Sequence, residues 1–279
     1  SLVARNYPPL QEAISEYLQL EKKNLIFTIK KNKIKKVLYV IKGQDAFTCD
    51  FNREGLPVHY VELDSLGKDT VFKAELFYNN MNNMIEYKSY SKIYGRDDYS
   101  FFYENNRLTS YECKADESSR EKVTLIYDNI GKIAAVSEIT IEGRNRSYEF
   151  FRGKNGTLDS IMYEGKTIHL FSKDEKILTV LSPYGYLECY LVFDGIINGE
   201  LVINFSKADE QTLLKLLDLA KTTTELSEYG KYFGAFKKEV ILDLYRSYYD
   251  EKGVPEYVES YNPDFTIEIG RYIYEYYEN

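Results

Sequence analysis

One motif recurs along this chain and limits what it can fold into. An aromatic residue precedes a short polar loop, often with glycine near its end, and an apolar residue follows. The motif appears at Phe51-Asn52-Arg53-Glu54-Gly55-Leu56, at Tyr78-Asn79-Asn80-Met81-Asn82-Asn83-Met84 and at Tyr103-Glu104-Asn105-Asn106-Arg107-Leu108. It returns at Tyr127-Asp128-Asn129-Ile130-Gly131-Lys132-Ile133 and at Phe151-Arg152-Gly153-Lys154-Asn155-Gly156-Thr157-Leu158. These aromatics stand 27, 25, 24 and 24 residues apart. Phe171 opens a further copy after a shorter gap, and Tyr248-Tyr249-Asp250-Glu251-Lys252-Gly253 restores the pattern. A spacing of this size holds two turns of about four residues and two strands of about eight. A lone hairpin cannot bury its own face, so such units must be stable by stacking.

The segments between the turns alternate as strands do. Val123, Leu125 and Tyr127 share one side, as do Phe72, Ala74, Leu76 and Tyr78, and Thr109, Tyr111, Cys113 and Ala115. In the Tyr127 to Ile133 turn, Asp128 bonds its own backbone and Gly131 supplies the positive φ that a short bulged loop needs. Leu187, Cys189, Leu191 and Phe193 alternate again, and residues 194–199 read as a turn into Leu201-Val202-Ile203. Three segments carry helical spacing instead. Leu10, Ile14, Tyr17 and Leu18 mark residues 9–22. Leu213, Leu216, Leu217 and Ala220 mark 207–221 behind a capping-box-like Ser206 to Asp209, and Leu226, Tyr229 and Phe233 mark 225–233.

The expected fold is therefore mainly β: an antiparallel meander of about six to eight stacked hairpins. An open curved sheet is favoured and a barrel-like shell is the alternative, with an N-terminal helix and a helical insertion near 206–233. The expectation is one repeat-built domain over 1–279. It comprises a helical lead-in at 1–26, hairpin repeats at 27–205, a helical insertion at 206–236 and C-terminal hairpins at 237–279.

The YDxxGKI of residues 127–133 and the YYDEKG of residues 248–253 resemble the YD repeats of the Rhs family. The FYENNRL of residues 102–108, with its period, resembles the MORN-variant repeats of bacterial antitoxin-like proteins, although the Gly-x-Trp step common in such repeats is absent because the chain has no Trp. The likeness covers residues 27–205 and 237–279. It implies β-hairpin arrays in bacterial surface, toxin-associated or immunity-type proteins, and it carries over no catalytic residues.

The chemistry-bearing residues are sparse. The two histidines, His59 and His169, sit inside strands among apolar neighbours and read as structural. Cys49, Cys113 and Cys189 lack metal-ligand spacing and read as small apolar side chains. No nucleophile-elbow, phosphate-loop, dinucleotide or zinc-helix motif is present. The expectation is no catalytic residues, no cofactor and no metal. The acidic pairs Asp97-Asp98, Asp174-Glu175 and Asp250-Glu251 read as solvated turn charges, since neighbours on a strand point to opposite faces.

A net charge of −8 argues against a nucleic-acid partner and for a basic protein partner. The run Lys30 to Lys36 reads as a solvated turn between two strands. No run approaches the ~18 apolar residues of a membrane span. The chain opens Ser1-Leu2 rather than on Met, so a missing signal peptide assigns no compartment. The expectation is a soluble protein, cytoplasmic if immunity-like or exported with its signal removed. With 28 tyrosines, a broad Tyr-rich sheet suits partner binding, and Tyr272, Tyr274, Tyr276 and Tyr277 form the candidate binding cluster. The reading is a non-enzymatic bacterial interaction module. Its alternatives are a glycan-acting or glycan-binding protein with carboxylates in a sheet groove, and a structural surface repeat.

Overall fold

The turns explain how the sequence becomes a sheet. In a computed structural model the described residues are 25–64, 66–93, 95–114, 120–140, 142–153, 158–163, 165–174, 177–181, 186–193, 196–204, 207–222, 240–261 and 266–278. Five turns in them repeat one geometry. At Asp128 a single side-chain oxygen accepts the amides of Ile130 and Lys132 at 3.0 and 2.8 Å. The same oxygen position at Asn52 takes Glu54 and Leu56, at Asp64 takes Leu66 and Lys68, at Asn79 takes Met81 and Asn83, and at Asp250 takes Lys252 and Val254. In each, the fourth turn residue (Gly55, Gly67, Asn82, Gly131 or Gly253) has a positive φ. This is a type I turn closed by a left-handed residue, which forces the one-residue bulge seen at Asp50/Phe51, Phe77/Tyr78, Ile126/Tyr127 and Tyr248/Tyr249. Where two residues suffice, Lys42-Gly43 and Asn105-Asn106 both take positive φ, as a primed turn requires.

The repeat aromatic has a structural task. The hydroxyl of Tyr78 donates to the Pro57 carbonyl at 2.8 Å, that of Tyr103 to Met84 at 2.9 Å, and that of Tyr127 to Leu108 at 2.6 Å. Each acceptor lies at the start of the strand that leaves the preceding turn, so each tyrosine ties its hairpin to the one before. Arg107 lies over the Tyr127 ring at 4.8 Å. A Cβ on Gly131 would meet that flexible guanidinium at 2.5 Å, so the positive φ of 84° is what calls for glycine there.

The contacts divide the chain into two compact units. One holds residues 26–150 and 272–279. Its strands are β1 (Ile34–Ile41), β2 (Gln44–Phe51), β3 (Pro57–Leu63), β4 (Thr70–Tyr78), β5 (Met84–Ser91), β6 (Gly95–Glu104), β7 (Arg107–Lys114), β8 (Arg120–Tyr127), β9 (Ile133–Ile139) and most of β10 (Asn145–Arg152). Each pairs antiparallel with the next. The last residues of β18 (Ile267–Tyr276) run beside β1.

Register sorts this unit into two faces. One carries Val37, Cys49, Tyr60, Ala74, Ser89 and Asp97 in a single cross-strand row. The other carries a charge row: Lys36, Asp50, His59, Glu75, Lys88, Asp98 and Lys114 stand directly opposite one another across seven strands. His59 Nδ1 lies 3.2 Å from Asp50, Lys88 leans to Glu86 at 2.9 Å, and Arg96 grips Asp98 with two contacts at 2.9 and 3.0 Å. Opposite charges in cross-strand positions favour this register over any slipped one.

The second unit holds residues 1–25 and 151–271. It comprises β11 (Leu158–Tyr163), β12 (Lys166–Asp174), β13 (Ile177–Leu181), β14 (Tyr186–Phe193), β15 (Ile196–Asn204), β16 (Ile241–Tyr249), β17 (Pro255–Tyr261) and the first part of β18. These also pair antiparallel in order. Its core is Leu187, Cys189 and Leu191 of β14, Leu201 and Ile203 of β15, and Leu244 of β16. Leu216 and Ala220 of the helix Glu210–Thr222 cover them. That helix sits where the leucine spacing places it. Its cap is Asp209, whose carboxylate accepts the Thr212 amide at 2.7 Å, three residues beyond the expected Ser206. The helices expected at 9–22 and 225–233 lie outside the described residues.

Mainly antiparallel β is thus the fold class, and some boundaries move. The eighteen strands among the described residues make nine hairpins' worth, more than the six to eight expected. Residues 25–31 are helical, so the repeats begin at Ile34 and not at 27. The Lys30 to Lys36 run is therefore a helix end leading into β1, not a turn between strands. Ile29 is buried there, and the bare Cα of Gly55 lets the helix backbone approach: a Cβ would stand 2.5 Å from the Ile26 carbonyl. The turn expected over 194–199 gives way to strand from Ile196, with Gly199 inside β15. A Cβ at Gly199 would meet the Tyr245 carbonyl at 2.5 Å, so this glycine serves close strand approach.

Replacing Asp128 by Ala should lower stability by about 1–2 kcal/mol, while Asp128→Asn should be nearly neutral, because Asn52 and Asn79 hold the same geometry; urea unfolding measures both. Glu75→Lys puts like charges opposite Lys88 and should cost on the order of 0.5–1 kcal/mol, a loss that shrinks in ~1 M salt in the same assay.

Candidate functional site

Aromatic rings gather on the uncharged-row face of the first unit. Tyr39 stacks on Phe47 at 4.9 Å and touches Tyr272 at 4.8 Å; Phe47 reaches Tyr60 at 5.4 Å, and Tyr60 reaches Phe72 at 5.9 Å. Farther along the same face, Tyr87 meets Tyr99 at 5.7 Å and Phe101 meets Tyr111 at 5.7 Å. Ala74 and Ser89, both small and buried, lie between the rings in the register and leave room for them. Every one of these rings is half-buried, so each keeps some accessible surface. Burial pushes the Tyr60 hydroxyl up to about 12 and raises Tyr99 as well, so these phenols stay neutral donors and acceptors.

The candidate cluster at the C-terminus divides between roles. Tyr272 joins the Tyr39 and Phe47 rings, and Tyr274 stacks on Tyr272 at 6.4 Å. Tyr276 is 54% exposed. Tyr277 belongs to the scaffold: its hydroxyl donates to the Phe51 carbonyl at 2.5 Å, its amide to the Lys33 carbonyl at 2.8 Å, and Arg53 lies over its ring. The sequence motif could not distinguish these roles, since one residue of phase decides the face.

The same face brings together carboxylates far apart in sequence. Register sets Tyr99, Cys113 and Glu121 directly opposite one another, with Asp97 two residues along β6 and Glu138 on β9. Asp97-Asp98 thus lies within a strand and not in a turn, which corrects the sequence reading. The alternation rule still holds, for Asp98 faces the charge row. Glu138 is buried, accepts the Tyr148 hydroxyl at 2.8 Å and lies 3.8 Å from Arg146. Burial first, then the charges of Glu138 and Asp97, raises the Glu121 carboxyl, and Arg146 opposes this. Burial and the neighbouring Asp98 raise Asp97. No periodic signal announces this cluster, because its members come from β6, β8 and β9.

The histidines and cysteines take positions in the sheet. His59 is one rung of the charge row, and His169 stands opposite Ser160 and Leu181 in register. No disulfide joins Cys49, Cys113 and Cys189, which are all buried. Burial, with Asp50 adding to it, pushes the Cys49 thiol up to about 12. Among the described residues no group of three or more His, Cys, Asp or Glu side chains is placed to hold a metal ion, and no helix is long and apolar enough to cross a membrane. A cavity of about 290 Å3 opens on the charged face, lined in part by Lys73, Glu75, Lys88, Tyr90 and Arg96. Its Lys88 and Arg96 are already ion-paired with Glu86 and Asp98.

No protein-family profile matches this chain, and no curated protein matches it. Among solved structures it is similar to a porin-like protein from Bacteroides uniformis at 12% identity and a TM-score of 0.37, covering 87% of this chain and 98% of that one. It is also similar to a chain of the Photorhabdus luminescens Tc holotoxin pore (10% identity, TM-score 0.23) and to one of the TcdB2–TccC3–Cdc42 structure (9% identity, TM-score 0.21). Each match takes in 81% of this chain but spans only 12% and 14% of those longer chains. Likeness at these scores carries no argument about function.

Because ionised Glu121 is disfavoured in the folded state, Glu121→Gln should raise the melting temperature at neutral pH. The folded carboxyl titrates above its unfolded value, so the gain should disappear as pH falls below the usual carboxylate range, where both states are protonated. Calorimetry across pH measures this.

Proposed function

We propose that this chain is a non-catalytic β-repeat module that binds a protein partner through the aromatic face of its first unit. The observation that supports this reading is the continuity of half-accessible rings from Tyr272 through Tyr39, Phe47 and Tyr60 to Phe72. Tyrosine brings large contact area at low entropic cost and a polar tip, which suits a protein interface. The tyrosines before the turns tie hairpins together through their hydroxyls, whereas the face-lining rings keep accessible ring surface. An immunity-like or cell-surface role fits such a module.

A glycan-acting reading has one observation in its favour, the raised Glu121 carboxyl beside Glu138. The cavity of about 290 Å3 opens on the opposite, charged face and does not enclose Glu121 and Glu138. Hydrolysis of a polysaccharide panel that is lost in Glu138→Gln would establish it over the binding module.

Glu62 and Glu75 test the proposal because both are exposed and lie on opposite faces. A photo-crosslinking residue at Glu62 should capture the partner in the native cells, and one at Glu75 should not. Capture from Glu75 alone, or from neither, overturns the assignment.

A further inference from the structure

The two faces of the first unit differ in charge as well as in aromatic content. On the charged face acids and bases alternate in register, as in the row from Lys36 to Lys114. On the aromatic face, β3 to β10 within this unit carry Glu62, Asp97, Glu121 and Glu138 against Arg146 and the Arg107 guanidinium, which is taken up over the Tyr127 ring. Arg146 is drawn to Glu138. Among the described residues no cation stands within ion-pair distance of Asp97 or Glu121. The excess of acid therefore collects beside Tyr87, Tyr99 and Tyr111.

Cations are held by two features together: an aromatic face within about 6 Å and a carboxylate to neutralise the charge. Tyr99 lies 5.7 Å from Tyr87 and 6.5 Å from Tyr111, with Glu121 two strands away in its own register row and Asp97 two residues along its own strand. The same molecule shows that its side chains support such contacts: Lys88 lies 5.0 Å from the Phe77 ring centre and Arg107 lies 4.8 Å from that of Tyr127. The aromatic path from β18 beside β1 to β7 crosses seven strand spacings, about 34 Å at the usual ~4.8 Å each. That is the length of about ten residues of extended polypeptide and well beyond a single small ligand.

We propose that the aromatic face of the first unit docks an extended, basic polypeptide segment, whose lysine or arginine side chains sit against Tyr87, Tyr99 and Tyr111 and pair with Asp97 and Glu121. This rests on the reading of that face as the partner surface, and it specifies the partner's chemistry. The aromatic stretch at Tyr272, Tyr39 and Phe47 takes the apolar side chains of the same segment, and the acidic stretch fixes which end of it is basic.

The test uses the full chain and three synthetic peptides of about 12 residues. One alternates Arg with Leu, one has Gln for Arg, and one has Glu for Arg; titration calorimetry reads the affinities. The Arg peptide should bind at least about tenfold more tightly than the Gln peptide, and the Glu peptide should bind least. Asp97→Asn with Glu121→Gln should bring the Arg and Gln peptides to near parity, while the melting temperature stays level or rises, so that lost affinity does not reflect lost fold. Glu75→Gln, on the opposite face, should leave the Arg peptide unaffected. Equal binding of the three peptides, or an unchanged preference in the double variant, overturns the basic-partner assignment while crosslinking from Glu62 still stands or falls separately. An equal loss in Glu75→Gln also overturns it, because attraction by the chain's overall charge of −8 would then explain the binding.

Discussion

The structure depends on one small hydrogen-bonding device. At the start of a turn, one side-chain oxygen of Asp or Asn accepts two backbone amides, two and four residues on. That fixes a type I turn, the left-handed fourth residue closes it, and the resulting bulge sets the phase of both strands. Since side chains in a strand alternate with a period of two, the phase fixed at the turn decides what each face carries. A slip of one residue would exchange the aromatic face for the charged one. The charge row from Lys36 to Lys114 reinforces the same register from the middle of the strands, where the turns exert least control.

The tyrosines show how one residue type serves two ends. Tyr78, Tyr103 and Tyr127 bond their hydroxyls to the preceding hairpin and act as ties between repeats. Tyr39, Tyr60 and Tyr272 belong to one run of rings and Tyr87, Tyr99 and Tyr111 to another on the same face. The first group links each hairpin to the one before it, and the second follows the register across the strands between the turns. Glu121 and Asp97 then stand out as residues that burial and mutual repulsion make costly to the fold.

Much of this was legible in the chain itself. The spacing of Phe51, Tyr78, Tyr103 and Tyr127 announced the hairpins, and Asp128 and Gly131 announced their turn chemistry, because those requirements are local. The leucine spacing of 213, 216, 217 and 220 located a helix for the same reason. What was not legible came from contacts distant in sequence. Leu25 to Ile29 has strand-like composition but forms helix where Gly55 lets it pack. Gly199 looked like a turn glycine but serves the approach of β16. Asp97 read as a solvated turn charge, and nothing local set Glu121 and Glu138 apart from other acids.

The sequence by itself determined the antiparallel hairpin meander and the chemistry of its turns, because φ preferences, short-range hydrogen bonds and side-chain alternation act over a few residues. Only the tertiary structure decided which tyrosines are ties and which are surface, and which carboxylates meet beside them. Those outcomes depend on the register between strands 10 to 40 residues apart, where a shift of a single residue reverses the face, and no local pattern encodes that sum of turn lengths and bulges.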